Sequence, residues 1–408
     1  MPASLPTLDR NSRPNGADFS MISRLLAPRA FLAGLLATLM LAAQAHAQLF
    51  ETKAAQAYMI DAETGTVLFS KDPDKLITPA SLAKMMTMEV VFDALKSGRY
   101  SLDDVFGVSE NAWRTGGAAS RATTMFAAVR SQIRIEDLVK GVTVQVANDG
   151  CIILAEGMAG SEANFAVQMT ERARQIGLTK STFVNSTGLP APGQQTTVRE
   201  LTQLALHLWQ AYPEYYRYYS LPDFTWNKIL QRNRNPLIAM DFGADGLATG
   251  FTEGEGFAIV GSVNRDGRRL FLAMAGMASD RERSEEARKL LDWGMRAFEK
   301  TEIFAKDETV GEAQVFGGTK SHVALVAPKP ISLFLPVANR ERLVARIVYD
   351  GPVVAPIAKG TQIGALKVWI GDTLSQETPL YAAEAVGVGS LQSRAFDAVK
   401  ELAIGWLR

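Results

Sequence analysis

The chain has 408 residues, 47% hydrophobic and 21% charged, a globular composition whose length favours two domains or slightly more. Its 43 basic and 43 acidic residues cancel and no block of like charge occurs, which argues against a nucleic-acid partner. A single cysteine excludes a disulfide framework and a zinc site built from several thiolates, and only three histidines occur, His46, His207 and His322.

Arg24 and Arg29 precede an uncharged apolar run from Ala30 to Ala43, which ends in Ala45-His46-Ala47. This is the three-part layout of a secretory signal over residues 1–47, with cleavage before Gln48. A retained anchor is the alternative, although the run falls short of the ~20 residues that span a bilayer. Met21 is a candidate start. Removal of the segment takes away four basic and two acidic residues, leaving 39 against 41 in a nearly neutral exported protein.

Residues 55–70 predict two short strands around an Ala-Glu-Thr-Gly turn, and residues 79–96 predict a long helix. A largely apolar helical region over 134–159 is interrupted near Asn148-Asp149-Gly150. Val198, Leu201, Leu204, Ala205 and Leu208 recur at helical spacing within 197–210. Two apolar runs within 256–276 flank Asn-Arg-Asp-Gly, a hairpin signal, and a helix is expected over 282–299. Together these predict an α/β domain over residues 48–301, an antiparallel sheet with helices packed against it.

From residue 302 the texture changes to short β-rich runs cut by Pro and Gly every 8–12 residues, which predicts a small β-rich domain over 302–387. Residues 388–408 carry Leu391, Ala395, Val399, Leu402 and Trp406 on one helical stripe. Such an amphipathic helix suits a membrane surface or the cap of a domain. The stretch 317–321, Gly-Gly-Thr-Lys-Ser, lacks the spacing of a phosphate-binding loop, because Thr319 separates Gly318 from Lys320, and it reads as a turn.

The chemistry concentrates at 78–91. Thr78 is an expected N-cap with Pro79 at the first helical position, which brings Ser81 into the first turn beside free backbone N–H groups. Lys84 follows one turn later on the same face. Its neighbours from Leu82 to Val91 are nearly all apolar, so burial should lower its pKa and leave a neutral amine beside a hydroxyl. That pair is a nucleophile with its general base. No histidine accompanies it, so a Ser-Lys pair is favoured over a Ser-His-Asp triad. Cys151 and His207 both sit in apolar helical settings and read as structural.

The chain resembles the low-molecular-mass penicillin-binding proteins that act as D-alanyl-D-alanine carboxypeptidases. The likeness runs from the strands and helix of 57–87 through Ser-Thr-Phe-Val-Asn-Ser-Thr-Gly-Leu-Pro (181–190), Asn-Arg-Asn-Pro-Leu (233–237) and the closing helix to the β-rich 302–386. It implies a serine β-lactamase/transpeptidase-like domain, then a small β-rich domain and a terminal helix on the membrane surface. Three motifs carry catalysis in that family and its relatives, Ser-x-x-Lys, Ser-x-Asn and Lys-Thr-Gly. Ser81 and Lys84 match the first. Asn148 keeps the second motif's amide, but Val146 stands at its serine. Thr249 and Gly250 keep the third, but Ala248 stands at its lysine. Arg283 matches the arginine that helps hold the substrate carboxylate, and the backbone N–H groups of Ser81 and Phe251 match the oxyanion site.

The resemblance implies a periplasmic enzyme, peripheral to the inner membrane and free of cofactor and metal. It would remove terminal D-alanine from peptidoglycan pentapeptide stems and be acylated by β-lactams. Losing one electrostatic element of such a site costs about 10²–10³ in rate. Valine in place of serine removes both a donor and an acceptor. The alternative is a weakened or inactive homologue that binds peptidoglycan or a protein partner.

Overall fold

The computed structural model describes residues 50–338, 343–392, 394, 395 and 398. The expected signal segment 1–47 lies outside them, as does most of the expected terminal helix. Thr52–Arg408 forms a compact unit of its own.

A five-stranded antiparallel sheet organises the first part of that unit. Strands β1 (Gln56–Asp61), β2 (Val67–Lys71), β3 (Ala244–Thr252), β4 (Gly256–Arg265) and β5 (Arg268–Met277) lie in the order β2-β1-β5-β4-β3. All six residues of β1 are buried, as a strand covered on both faces requires. Asp266 and Gly267 close the β4–β5 hairpin, both with positive φ (52° and 80°), the backbone that a two-residue turn demands.

Helices cover this sheet. Helix α1 (Lys84–Lys96) is buried along most of its length, with Met85, Met86, Met88, Val91 and Phe92 fully inaccessible. Burying each such side chain stabilises the fold by about 1.5–3 kcal/mol before the entropy cost. Helices α2 (Ile135–Gln145) and α3 (Asn148–Ala159) pack against it in the same core. Their junction falls at Val146–Ala147, slightly earlier than the sequence suggested. Helix α4 (Glu162–Gln175) comes next in the chain.

Helix α5 (Val198–Ala211) starts where Thr197 Oγ1 accepts from the Glu200 N–H, and its five-residue apolar stripe is buried. Helix α6 (Asp280–Arg296) starts at Ser279, whose Oγ accepts from the Glu282 N–H. It ends before residue 299, because Phe298–Phe304 is a strand paired antiparallel with Ile331–Pro336.

The β-rich part adds a six-stranded sheet with its own core, including Val323, Leu325, Leu333, Leu366 and Leu380. It is stitched to β2 by Ser375 Oγ donating to the Val67 carbonyl at 2.8 Å, and to β5 by Arg268 lying 3.7 Å over the Phe334 ring. The stretch 317–321 is an irregular connection between Thr309–Phe316 and His322–Val326, in keeping with a turn.

Candidate active site

Ser81 does not sit in a regular α-helical first turn. Residues Ala80–Ala83 form a 3-10 turn that leads into α1, and Ala80 is left-handed at φ 47°. Thr78 is not the expected cap. Its N–H and its Oγ1 both donate to the Glu255 carboxylate, at 2.8 and 2.7 Å, so it ties the turn to the β3–β4 corner. The tie replaces capping because the left-handed Ala80 redirects the chain at the helix entrance.

A loop closes on the turn from the other side. Gly188, at φ 78°, lies so close that a Cβ there would stand 1.8 Å from the Ala80 carbonyl oxygen. Asn185 Oδ1 accepts from the Gly188 N–H at 2.7 Å and from Thr187 Oγ1 at 3.1 Å, which fixes the loop. Strand β3 makes a further close approach at Gly250, where a Cβ would meet Ala80, Leu82 and the Pro79 carbonyl at 3.3 Å.

Lys84 is 3% exposed. Its Nζ lies 3.1 Å from Ser81 Oγ and donates to the Thr187 carbonyl at 2.5 Å. Burial pulls its pKa down from 10.5 to about 8, while the charge of Glu162 acts in the opposite direction. With one N–H committed to Thr187, a neutral amine has its lone pair free to accept the serine proton.

Ser81, Lys84, Val146, Ala248, Thr143 and Tyr219 line one small cavity, closed off by Met85, Val142 and Leu247. The two positions that depart from the resembled motifs therefore face the same space as the nucleophile. Val146 is 9% exposed and Ala248 6%. Val146 is also left-handed, at φ 60° and ψ 37°, a rare conformation for a β-branched residue and one that costs about 1–3 kcal/mol.

Asn148 opens α3 two residues later, its N–H donating to the Thr123 carbonyl at 2.8 Å. Its buried Oδ1 has no hydrogen-bond partner among the described residues. The adjacent Asp149 carboxylate accepts from Thr124 Oγ1 and from the N–H groups of Met125 and Ala127, which pins the preceding loop beside it. Arg234 braces the corner by donating its N–H to the Val144 carbonyl and its Nε to Gln145 Oε1.

Thr249 and Gly250 follow Ala248 on β3, and Phe251 comes next, 56% exposed with its ring 4.6 Å from that of Phe257. Arg283, on α6, lies 5.6 Å over the Phe257 ring, pairs with Asp280 and keeps a buried Nε without a partner among the described residues. Burial also lowers the Arg283 pKa. Neither Phe251 nor Arg283 is among the residues lining the cavity, although Phe251 directly follows Gly250, which packs on the Ser81 turn.

Cys151 is fully buried, and burial pushes its thiol up to about 12. His207 Nε2 lies 3.2 Å from the Glu89 carboxylate in a structural network. Among the described residues, no group of three or more His, Cys, Asp or Glu is placed to hold a metal ion. Sequence reasoning missed Tyr219, the Thr187 carbonyl and Gly188. Gly188 carried a signal in Ser-Thr-Gly-Leu-Pro, whereas a backbone carbonyl leaves none.

Residues 42–279 match the family model for D-alanyl-D-alanine carboxypeptidase, and residues 298–388 match the model for the C-terminal domain of penicillin-binding protein 5. The chain belongs to the D-alanyl-D-alanine carboxypeptidase family. Among its carboxypeptidase relatives, DacC of Escherichia coli is 37% identical over 344 residues, 84% of this chain and 86% of that protein. The structure of penicillin-binding protein 5 from Haemophilus influenzae is similar with a TM-score of 0.70 at 32% identity, covering 83% of this chain and 99% of that one. Penicillin-binding protein D2 from Listeria monocytogenes, solved in its ampicillin-bound form, is 26% identical with a TM-score of 0.55, covering 60% of this chain and 99% of that one. The carboxypeptidase family assignment and the sheet-and-helix domain followed by a β-rich one both agree with the sequence reading.

Proposed function

We propose that the protein is a serine-type D-alanyl-D-alanine carboxypeptidase acting on peptidoglycan pentapeptide stems. The observation that carries this reading is the buried Lys84 amine 3.1 Å from Ser81 Oγ, with burial holding its pKa at about 8. Neutral Lys84 takes the Ser81 proton as Oγ attacks the penultimate D-alanine carbonyl. The N–H groups of Ser81 and Phe251 hold the resulting oxyanion, and Asn148 binds a substrate amide. Terminal D-alanine leaves as the acyl-enzyme forms, and water then releases the shortened stem. Thr249 and Gly250 align the substrate along β3, and Arg283 attracts its carboxylate. β-Lactams, which one structural relative is named as binding, acylate the same Ser81.

A second reading is favoured by the apolar Val146 and Ala248 inside the cavity. On that reading the protein binds peptidoglycan or a partner protein with little turnover. D-Alanine release from a peptide ending in D-Ala-D-Ala, measured beside labelling by a fluorescent penicillin, decides between them. Release and labelling that vanish in Ser81→Ala support the enzyme. Labelling only after the double change Val146→Ser/Ala248→Lys supports the binder, and no labelling even then removes Ser81 as the nucleophile.

The export of the chain through residues 1–47 to the periplasm, and its attachment to the inner-membrane surface through residues 388–408, complete the proposal. The signal layout and the amphipathic stripe support it. Among the described residues no helix is long and apolar enough to cross a membrane.

A further inference from the structure

The two backbone donors assigned to the oxyanion belong to segments far apart in the chain. The Ser81 N–H lies in the 3-10 turn that enters α1, and the Phe251 N–H lies on β3, the edge strand of its sheet. An oxyanion site needs both donors within about 2.7–3.1 Å of one oxygen. Neither segment can set that spacing alone, so contacts between the turn and the strand must set it.

Two kinds of contact join them. One is packing, where Gly250, next to Phe251, lies close against Ala80 and Leu82 on either side of Ser81. Such packing limits how near the strand comes but has no direction. The other is directional. One oxygen of the Glu255 carboxylate accepts from the Thr78 N–H at 2.8 Å, and the second accepts from Thr78 Oγ1 at 2.7 Å. Among the described residues, no other hydrogen bond joins residues 78–83 to the β3–β4 hairpin. Both ends of this link are anchored. Glu255 donates its own N–H to the Thr252 carbonyl at 3.2 Å, closing the β3–β4 turn, and Ile77 exchanges backbone hydrogen bonds with Thr196 at 2.9 and 3.0 Å. Between them Ala80 is left-handed, a backbone state that persists where its surroundings hold it.

We propose that Glu255 is a positioning residue whose two-pronged hold on Thr78 sets the Ser81 turn against β3, and so fixes the spacing of the Ser81 and Phe251 N–H groups. The carboxylate suits this task because two charge-assisted bonds to one residue fix orientation as well as distance. Glu255 acts through Thr78 and takes no part in the proton transfers. The inference rests on the acyl-transfer reading of Ser81 and Lys84, and it names what holds that site's two backbone donors together.

The test is a cycle of Thr78 and Glu255 variants, read by the rate constant of acylation at saturating fluorescent penicillin. Glu255→Ala should slow it by about tenfold or more, since a shift of about 1 Å at a reacting centre can cost 10²-fold. Thr78→Val, which keeps the N–H and loses the hydroxyl, should slow it by about threefold. Thr78→Ser keeps both donors and should stay within about twofold of the unmodified protein. Thr78→Val/Glu255→Ala should be no slower than Glu255→Ala alone, because the two act as one unit. The infrared band of the penicilloyl ester carbonyl should move to higher frequency in Glu255→Ala, as its hydrogen bonds weaken. A merely structural role would lower the unfolding midpoint and leave that band in place. A role through charge alone would speed acylation by an anionic drug. Either result overturns the proposal, as does an unchanged rate. If the unmodified protein is not acylated, the carboxypeptidase reading falls, and hydrogen exchange still decides the hold on the turn. Glu255→Ala should speed exchange over residues 80–83, and unchanged exchange there overturns the proposal.

Discussion

In a sample titrated from pH 6 to 9.5, the rate at which Ser81 is acylated should follow the neutral fraction of Lys84. Burial holds this amine at about 8 instead of 10.5. At pH 7 about one Lys84 in ten is then neutral, against roughly one in three thousand for an ordinary lysine, a gain of about 300-fold in available base. The buried Cys151 thiol, pushed up to about 12, stays protonated throughout and adds no charge beside the amine. The rate should therefore rise about tenfold per pH unit below 8 and level off above it. Stopped-flow fluorescence with a fluorescent penicillin measures the profile directly. Ala248→Lys sharpens the test, because a second ammonium in the same cavity disfavours the charged form of Lys84. Its plateau should arrive about one pH unit earlier. A rate still climbing at pH 9.5, or a plateau unmoved by Ala248→Lys, would refute the reasoning.

Other consequences are measurable. Gly188→Ala should destabilise the protein by about 2 kcal/mol or more and sharply reduce acylation, since the new methyl meets the Ala80 carbonyl and the backbone is left-handed; an unchanged urea midpoint contradicts this. Glu89, fully buried on α1, accepts from Arg172 Nε and Tyr212 Oη, both at 2.9 Å. Arg172→Met should cost about 3 kcal/mol by stranding that carboxylate, and Arg172→Met/Glu89→Gln should recover most of it in the same unfolding assay. Truncation after residue 387 should release the protein from membranes, and identical fractionation with and without the tail contradicts the surface-anchor reading.

Much of the fold was legible because its signals are local and periodic. The five-residue stripe of α5 is buried as its spacing predicts, and Asp266-Gly267 closes the hairpin its chemistry specifies. Element ends were harder to read. Residues 298 and 299 continue the helical pattern of α6, yet Phe298 enters a strand because Ile331–Pro336 offers it a pairing edge. Thr78 has the composition of a cap but bonds to Glu255, 177 residues away, a partner no local window contains.

The site divides in the same manner. Ser81 and Lys84 were legible as a pair three residues apart in a buried segment, and their 3.1 Å separation agrees with that spacing, although Ser81 lies in a 3-10 turn ahead of the helix. The facing of Val146 and Ala248 across the cavity depends on β3 lying against the Ser81 turn, which is a matter of tertiary packing. Tyr219 was hidden for a further reason. It lies in the aromatic run Tyr215-Tyr216-Arg217-Tyr218-Tyr219, where core packing explains each ring and only the surroundings of one hydroxyl set it apart.

Peptide mapping by mass spectrometry after incubation with benzylpenicillin tests the central claim most directly. The account predicts one adduct of the drug's full mass on the peptide that contains Ser81, present at pH 8.5 and lost in Ser81→Ala. An adduct on any other residue, or none on the unmodified protein at any pH from 7 to 9.5, would contradict it.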